Sequence, residues 1–383
     1  MTAAPTAQVP VRVSWGLLAV LSGNMLIDSI EVSSAIVTLP AIADDLRLGQ
    51  AGAQWVVGGF ALGFGGLLLA GRRAVARWGE RRVYLVALAA FAVASVAGAL
   101  AASAAVLVAS RVVKGACAAL TAPTGLAIIA RTFPEGAARN RAISLYSSFG
   151  ACGFSAGLLL SGLVTQADWR WTFLCPAPVA LVLLLSGLRL IPAAPPSGGG
   201  PAGWPRSRTL VRSALGAAAL NGSLWGLLIT GTFRFQDELG WTPLQAGAAL
   251  LPASLPAALG APFSARLVGR FGSARLIASG AALPPLGYLV IWWSWSTAPL
   301  GLPLVGVGFA LCFAALHVQA LGGLDAAEHG TATALYQTAV QLGGVLVLVA
   351  VTAPALPALG VVTVVGALGF CVALTGITKE RTA

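Results

Sequence analysis

Long apolar stretches without Asp, Glu, Lys or Arg alternate with short polar segments along this chain. Six such stretches are 18 to 28 residues long, namely 48–71, 83–110, 142–167, 171–188, 213–233 and 239–265. A helix needs about 20 apolar residues to cross the hydrocarbon core of a bilayer. Each stretch therefore predicts one membrane-spanning helix.

Two longer charge-free stretches, 276–324 and 329–378, contain 49 and 50 residues and predict two helices each. We place the breaks near residues 294–299 and 352–354, where Pro, Ser and Thr interrupt the apolar run. Two further spans carry charges, at about 14–40 (Asp28 and Glu31) and about 105–130 (Arg111 and Lys114). The pattern therefore predicts an all-α membrane protein with twelve transmembrane helices.

Composition excludes the common soluble classes. Of the 383 residues, 57% are hydrophobic and only 9% are charged, whereas soluble domains carry roughly 25% charged residues. The apolar content also argues against disorder. The two histidines and the unclustered cysteines predict neither a metal site nor a cofactor. With no nucleophile elbow and no paired acids on separate helices, an intramembrane enzyme finds no support.

The basic residues predict the orientation of the chain in the membrane. If the N-terminus is cytoplasmic, 18 basic residues lie on that side and only Arg47, Arg170 and Arg234 on the other. Because cytoplasmic loops are enriched in Lys and Arg, we expect both termini in the cytoplasm. The net charge of +11 is then a topology signal and not a sign of nucleic-acid binding. Richness in Ala, Gly and Arg suggests a bacterial gene, and hence the cytoplasmic membrane.

An internal repeat divides the chain. Residues Arg73, Arg77, Gly79 and Arg82 recur as Arg266, Arg270, Gly272 and Arg275, each 193 positions later. The same offset pairs Asp28 with Asn221, and an offset of 190 pairs Tyr146 with Tyr336. We therefore expect an N-terminal half over 1–190, a Pro/Gly/Ser-rich cytoplasmic linker over 191–212 and a C-terminal half over 213–383. Duplicated transporter halves place the substrate path where they meet.

Several short motifs are similar to those of a known family. They are Glu31-Val-Ser-Ser-Ala-Ile-Val-Thr-Leu-Pro40, Gln54-Trp-Val-Val57, Arg111-Val-Val-Lys-Gly115, Arg131-Thr-Phe-Pro-Glu-Gly136, Trp169-Arg-Trp-Thr-Phe173, Leu244-Gln-Ala-Gly-Ala-Ala-Leu-Leu-Pro252 and Gln341-Leu-Gly-Gly344. Over nearly its whole length the chain resembles the major facilitator superfamily. Within it, the resemblance is strongest to the drug:proton antiporters that usually have fourteen helices, although twelve are predicted here.

This resemblance implies the major facilitator fold of two pseudo-symmetric six-helix halves. It further implies proton-coupled export of a small lipophilic, antibiotic-like compound by alternating access, in a multi-pass protein that works as a monomer. The proton gradient then replaces a cofactor as the energy source, and the partners are the substrate, protons and membrane lipid.

Three departures from the family pattern keep an alternative open. Ala76 and its repeat Gly269 stand where the loop motif has an Asp, and Leu158 stands where the helix-five motif has a proline. Glu31 replaces the usual Asp but keeps a carboxylate. The alternative is a degenerate family member that transports little and acts as a membrane sensor or assembly partner.

Asp28 and Glu31 are the candidate proton sites. With Asn24 they lie at helical spacings of four and three residues and share one face. A carboxylate at membrane depth is costly and survives beside a cavity or a cation. By resemblance Arg111 is the partner of the helix-one acid. Protonation of Glu31 would therefore release Arg111. Lys114 shares the Arg111 face, or else extends toward the cytoplasm.

Amide and aromatic side chains in the spans are candidates for the substrate cavity, although such a residue taken singly more often serves helix packing or interhelical hydrogen bonding. They are Asn24, Tyr146, Asn221, Trp225, Tyr336, Gln337 and Gln341. His317 is interpreted as structural, since a lone histidine usually is. The repeated residues Arg73, Arg77, Gly79, Arg82, Arg266, Arg270, Gly272 and Arg275 are assigned to cytoplasmic gating loops, where Gly permits a tight turn.

Overall fold

The structure is a computed structural model, and it describes residues 15–193, 205, 207–293, 295, 298–325, 328–353 and 357–380. Most of the predicted linker, residues 194–204 and 206, lies outside the described residues. The same holds for the basic residues Arg12, Arg206 and Arg381 that entered the orientation argument.

Every regular element of the described chain is helical. The first part of the chain forms α1 Trp15–Asp45, α2 Gln50–Trp78, α3 Glu80–Ala99, α4 Ala104–Thr132, α5 Ala137–Thr165, α6 Arg170–Leu174 and α7 Pro176–Leu190. The second part forms α8 Arg208–Phe233, α9 Pro243–Gly260, α10 Ser264–Phe271, α11 Ser273–Trp293, α12 Ala298–Leu321, α13 His329–Val351 and α14 Ala358–Glu380. A π-helical turn, Arg234–Glu238, extends α8, and a 3₁₀ turn, Ala261–Phe263, joins α9 to α10.

These helices match the twelve predicted spans. Within the described residues, eleven helical segments are long and apolar enough to cross a membrane, and the apolar part of α14, Ala358–Val372, is the shorter twelfth. The two long apolar stretches divide where the sequence predicted, since α11 ends at Trp293 and α13 ends at Val351. The all-α membrane fold is confirmed.

Helix ends follow local sequence signals. Gly79 and Gly272 have φ angles of +79° and +78°, which side chains rarely adopt, so the tight turns predicted at both glycines are present. The Ser207 hydroxyl accepts from the Leu210 N–H at 3.2 Å and caps α8. Thr242 and Gln245 form a reciprocal capping box at the start of α9.

Equivalent helix pairs pack in the same way before and after the linker. Gly153 of α5 lies against the Leu26 carbonyl of α1, and Gly343 of α13 lies against the Ala218 carbonyl of α8, with no room for a Cβ in either place. Close approach at small residues is typical of packed membrane helices. This similarity supports the proposed halves 1–190 and 213–383.

Helices α2 and α5 pack against α13 and α9, respectively, and so join the two parts of the chain. We call the end of the bundle with the 78–80 and 271–273 turns the basic end, and the opposite end the far end. At the far end the Thr352 hydroxyl donates to Gln54 Oε1 at 2.6 Å. At the basic end the Arg72 guanidinium donates to the Thr331 hydroxyl.

Candidate functional site

Four ionisable side chains meet between α1 and α4 in the interior of the bundle. Glu31 Oε2 lies 2.5 Å from Arg111 Nη1, and Glu31 Oε1 lies 2.5 Å from Lys114 Nζ. All three side chains are at most 1% exposed. Arg111 and Lys114 are three residues apart on α4 and therefore reach the same carboxylate. We call these residues and Asp28 the ionic cluster.

Arg111 connects three helices through its guanidinium group. Its Nη2 donates to the Glu31 carbonyl at 2.9 Å and its Nε donates to the Val56 carbonyl of α2 at 3.0 Å. The ring of Phe60 lies 4.9 Å from the guanidinium carbon and adds a cation–π contact. The pairing of Arg111 with Glu31 that the sequence predicted is present, and it also positions α2.

Lys114 is fully buried, so the alternative in which it extends toward the cytoplasm is wrong. Its ammonium group contacts Glu31 and lies 5.0 Å from the Phe91 ring and 5.4 Å from the Phe173 ring. Aromatic faces attract a cation in a site without bulk water. The inward position is therefore explained by one carboxylate and two rings.

Asp28 is buried beside this pair, but neutral groups hold it. Asn24 Nδ2 and Thr121 Oγ1 each donate to Asp28 Oδ2 at 2.9 Å. Thr121 belongs to α4, so this acid also links α1 to α4. Asn24, predicted as a substrate contact, is hydrogen-bonded to Asp28 and so borders the ionic cluster.

The two carboxylates differ in how their charge is compensated. Glu31 touches two cations directly, whereas Asp28 is hydrogen-bonded to an amide and a hydroxyl. Adding a proton to Glu31 would leave two buried cations without a direct anionic partner, which is expensive. Adding a proton to Asp28 breaks no ion pair. Chemically, Asp28 is the acid better suited to bind and release a proton.

A second group of predicted residues gathers where α8 and α13 cross. Asn221 Nδ2 donates to the Val340 carbonyl at 3.3 Å, and Trp225 packs against Gly344. Gln341 is buried against Gly65 of α2, and Gln337 is half-buried one turn earlier on α13. These four lie close together, in a different place from the ionic cluster, and their role as substrate contacts stays a prediction.

The repeated tyrosines occupy equivalent positions in the two parts of the chain. The Tyr146 hydroxyl donates to the Ala122 carbonyl of α4 at 2.9 Å, and the Tyr336 hydroxyl donates to the Phe313 carbonyl of α12 at 3.4 Å. Both side chains are buried. Their hydroxyls thus serve interhelical hydrogen bonding, the alternative that the sequence left open beside a substrate contact.

The predicted gating arginines lie exposed around the basic end. Arg77 stacks on Trp78 at 5.9 Å and Arg270 on Phe271 at 5.4 Å, again at equivalent repeat positions. Arg73, Arg82, Arg266 and Arg275 are exposed as well. In the parts of the chain that the structure describes, these six arginines form no ion pair.

Sequence reasoning missed several residues that contribute to these sites. Arg81 Nη2 donates to the Leu188 carbonyl at 2.6 Å, and Arg72 reaches Thr331, although neither was singled out. Thr121 could have been found, because it lies two turns beyond Lys114 on the same face of α4. The aromatic partners come from α2, α3 and α6, and no local pattern relates them to α4.

Comparison with known proteins agrees with this architecture. The family model for the Major Facilitator Superfamily matches residues 21–348. The uncharacterized MFS-type transporter EfpA of Mycobacterium tuberculosis is 28% identical, in an alignment covering 90% of this chain and 78% of EfpA. The cephamycin export protein CmcT of Amycolatopsis lactamdurans is 29% identical, covering 82% of this chain and 79% of CmcT.

A third relative is the tetracenomycin C resistance and export protein of Streptomyces glaucescens. It is 28% identical, and the alignment covers 86% of this chain and 73% of that protein. The family model covers far more than half of the chain, and its members are transporters and not enzymes. The chain is therefore a multi-pass membrane protein that belongs to the major facilitator superfamily and is related to its drug and antibiotic efflux proteins.

Proposed function

We propose that this protein is a proton-coupled secondary transporter that exports a small lipophilic, antibiotic-like compound. Transport proceeds by alternating access between a half formed by residues 1–190 and a half formed by 213–383, joined by the linker 191–212. Both termini lie in the cytoplasm of a bacterial cell. Relatives named for export of cephamycin and of tetracenomycin C support the substrate class and the direction.

The observation that carries the proton coupling is the ionic cluster, buried at membrane depth between α1 and α4. Ionisable groups within the bilayer are costly and usually functional. Asp28 binds the transported proton, while Glu31 stays ionised between Arg111 and Lys114. With both acids ionised the four side chains carry no net charge, and protonation of Asp28 changes the cluster to +1.

This change of charge can bias a conformational equilibrium. Asp28 and Glu31 both lie on α1, and Thr121, Arg111 and Lys114 all lie on α4. Protonation weakens the bonds that Asn24 and Thr121 make to Asp28, because charged acceptors form the stronger hydrogen bonds. A state in which α1 and α4 are arranged differently then gains in population. The residues at the α8–α13 crossing, Asn221, Trp225, Gln337 and Gln341, would contact the substrate.

The test is substrate-dependent proton movement in everted membrane vesicles that contain the protein and an internal pH dye. A cephamycin and tetracenomycin C serve as the first compounds, since relatives are named for them. We expect at least one compound to release protons from energised vesicles. Asp28→Asn should abolish this release while leaving expression near that of the wild type, because the amide can still pair with Asn24 and Thr121.

Asp44→Asn is the matched control, since Asp44 is an exposed acid near the end of the same helix. It should behave as the wild type does. Unchanged proton release in Asp28→Asn would reject Asp28 as the proton carrier. If neither transport nor proton movement occurs with a broad panel of lipophilic compounds, the proposal fails. The sensor or assembly-partner alternative would then be favoured.

A further inference from the structure

The hydroxyl group of Tyr84 is buried without a hydrogen-bond partner among the described residues. Tyr84 lies near the start of α3 and is 0% exposed. Its ring belongs to an apolar cluster that includes Leu21 of α1, Leu88 of α3 and Ile128 of α4. A buried hydroxyl that pairs with nothing is unfavourable, so its presence calls for an explanation.

The polar side chain beside this hydroxyl is Asn24 of α1. The two groups are near enough for a hydrogen bond, but the present geometry does not complete one. The Asn24 amide is directed to Asp28 instead, and its Nδ2 donates to Asp28 Oδ2 at 2.9 Å. Asn24 is itself 1% exposed. The amide therefore has two neighbouring oxygen acceptors, and it uses the carboxylate.

The other donor to Asp28 has acceptors of its own. Thr121 Oγ1 lies 3.2 Å from the Cys117 carbonyl and 3.4 Å from the Ala118 carbonyl of the same helix. A carboxyl group that has gained a proton is a weaker acceptor, and Thr121 then keeps a carbonyl as its partner. For Asn24, the group that can take the place of the carboxylate is the Tyr84 hydroxyl, which both accepts and donates hydrogen bonds.

We propose that Asn24 alternates between two partners, ionised Asp28 and, once Asp28 is protonated, the Tyr84 hydroxyl. This proposal rests on the proton coupling proposed above and makes Tyr84 a positioning residue for proton binding. The hydroxyl is unpaired while Asp28 is ionised and becomes paired when Asp28 is neutral. It therefore favours the protonated form, and Asp28 should bind its proton less tightly when the hydroxyl is removed.

Other titratable groups face Asp28 from α1, α4 and α5. They are Glu31, Lys114, Cys117 and Tyr146. Glu31 and Lys114 contact each other, and the Tyr146 hydroxyl already donates to the Ala122 carbonyl. A substitution that removes the Tyr84 hydroxyl alone leaves all four in place. A change in proton binding in such a variant therefore reports on that hydroxyl.

The experiment is an acid titration of the purified full-length protein in detergent, followed by infrared spectroscopy without substrate or proton gradient. The carboxylic-acid band that is lost in Asp28→Asn reports the protonation of Asp28. Tyr84→Phe keeps the ring, and we expect the midpoint of this band to move about 0.4 to 1 pH unit lower, the equivalent of one hydrogen bond. In an Asn24→Leu background, Tyr84→Phe should cause no further shift, since the alternating side chain is absent.

Tyr288→Phe is the matched control, because Tyr288 is a fully buried tyrosine of α11 whose hydroxyl donates to Ser223 at 2.9 Å. Its midpoint should equal that of the wild type. The proposal is overturned if Tyr84→Phe titrates as the wild type does, which is the result for a hydroxyl that binds water in both states. A midpoint at higher pH, or a shift that persists in the Asn24→Leu background, overturns it as well.

The titration also separates this proposal from the transport function. A lowered midpoint in Tyr84→Phe, in a protein that moves no protons with any compound, would reject the transport function and leave the role of Tyr84 in place. An unchanged midpoint together with proton-coupled export would reject the role of Tyr84 alone. If Asp28 does not titrate in the wild type, both the proton site and the role of Tyr84 are wrong.

Discussion

The first and last six spans share a backbone plan but differ in the chemistry of their interiors. In the first part, Asp28, Glu31, Arg111 and Lys114 are buried together. At the repeat offset of 193 residues, Asp28 corresponds to the amide Asn221 and Glu31 corresponds to Leu224. The last part instead has stacked rings on α12 and α13, Phe309 with Phe313 and His317 with Tyr336.

This difference shows how a duplicated bundle divides its tasks. The features that repeat are structural: the positive-φ glycines at 79 and 272, the tyrosines that bind a neighbouring helix carbonyl, and the tight α1–α5 and α8–α13 contacts. The features that do not repeat are chemical. The proposed proton site in the first part and the proposed substrate contacts at the α8–α13 crossing can be coupled through the packing of α2 on α13 and of α5 on α9.

The largest expected effect tests whether the charges of the first part are balanced as a unit. Glu31→Gln removes the partner of Arg111 and Lys114, both fully buried. Removing one member of a buried ion pair costs about 3–5 kcal/mol. We expect strongly reduced thermal stability, measured as retention of monodisperse protein by size-exclusion chromatography after heating.

Lys114→Met is the comparison variant for that measurement. It leaves Glu31 paired with Arg111 through the contact at 2.5 Å, so the loss of stability should be smaller. The geometry indicates that two cations share Glu31. Equal losses of thermal stability in Glu31→Gln and Lys114→Met would contradict this.

Asn221→Asp introduces a carboxyl group into the last part, at the position that corresponds to Asp28. Asn221→Asp places a carboxyl where the amide now donates to the Val340 carbonyl, so that two acceptors face each other. On insertion scales an Asp at the centre of a membrane helix costs about 2.5–3.5 kcal/mol. We expect a lower melting temperature than in Asn221→Leu, which removes the hydrogen bond without adding an acid. If Asn221→Asp and Asn221→Leu have the same melting temperature, the absence of an acid at position 221 has no structural basis.

The sequence predicts the fold well because the bilayer imposes one strong rule, that charge-free apolar stretches of sufficient length become helices. The same rule located Asp28, Glu31, Arg111 and Lys114 as exceptions within two spans. It could not locate their neighbours. The Phe91 and Phe173 rings that accompany Lys114 come from two other helices, α3 and α6, and their apolar residue type gives no sign of this contact.

Tyr146 and Tyr336 illustrate a different limit. Their equal placement in the repeat was visible in the sequence, but the direction of each hydroxyl depends on how closely α5 approaches α4 and α13 approaches α12. Periodicity indicates which face of a helix a residue occupies and not which backbone carbonyl lies opposite. The residue type therefore left a substrate contact open beside the more usual interhelical hydrogen bond.

The smallest expected effects concern the contacts that hold the two parts together at opposite ends. Thr352→Val removes the hydroxyl that donates to Gln54 at the far end, and Thr331→Val removes the acceptor of Arg72 at the basic end. A hydrogen bond contributes about 0.5–1.5 kcal/mol, so each substitution should change the ratio of open to closed conformations roughly 2- to 12-fold.

The two hydrogen bonds close opposite ends of the bundle. The two substitutions should therefore shift the conformational equilibrium in opposite directions. Spin labels on the 45–50 and 238–243 loops report the far end, and labels on the 78–80 and 271–273 turns report the basic end. Thr352→Val should lengthen distances across the far end, and Thr331→Val those across the basic end. If both variants lengthen the same pair of distances, the halves do not rock about a central site, and the two interiors are coupled by some other motion.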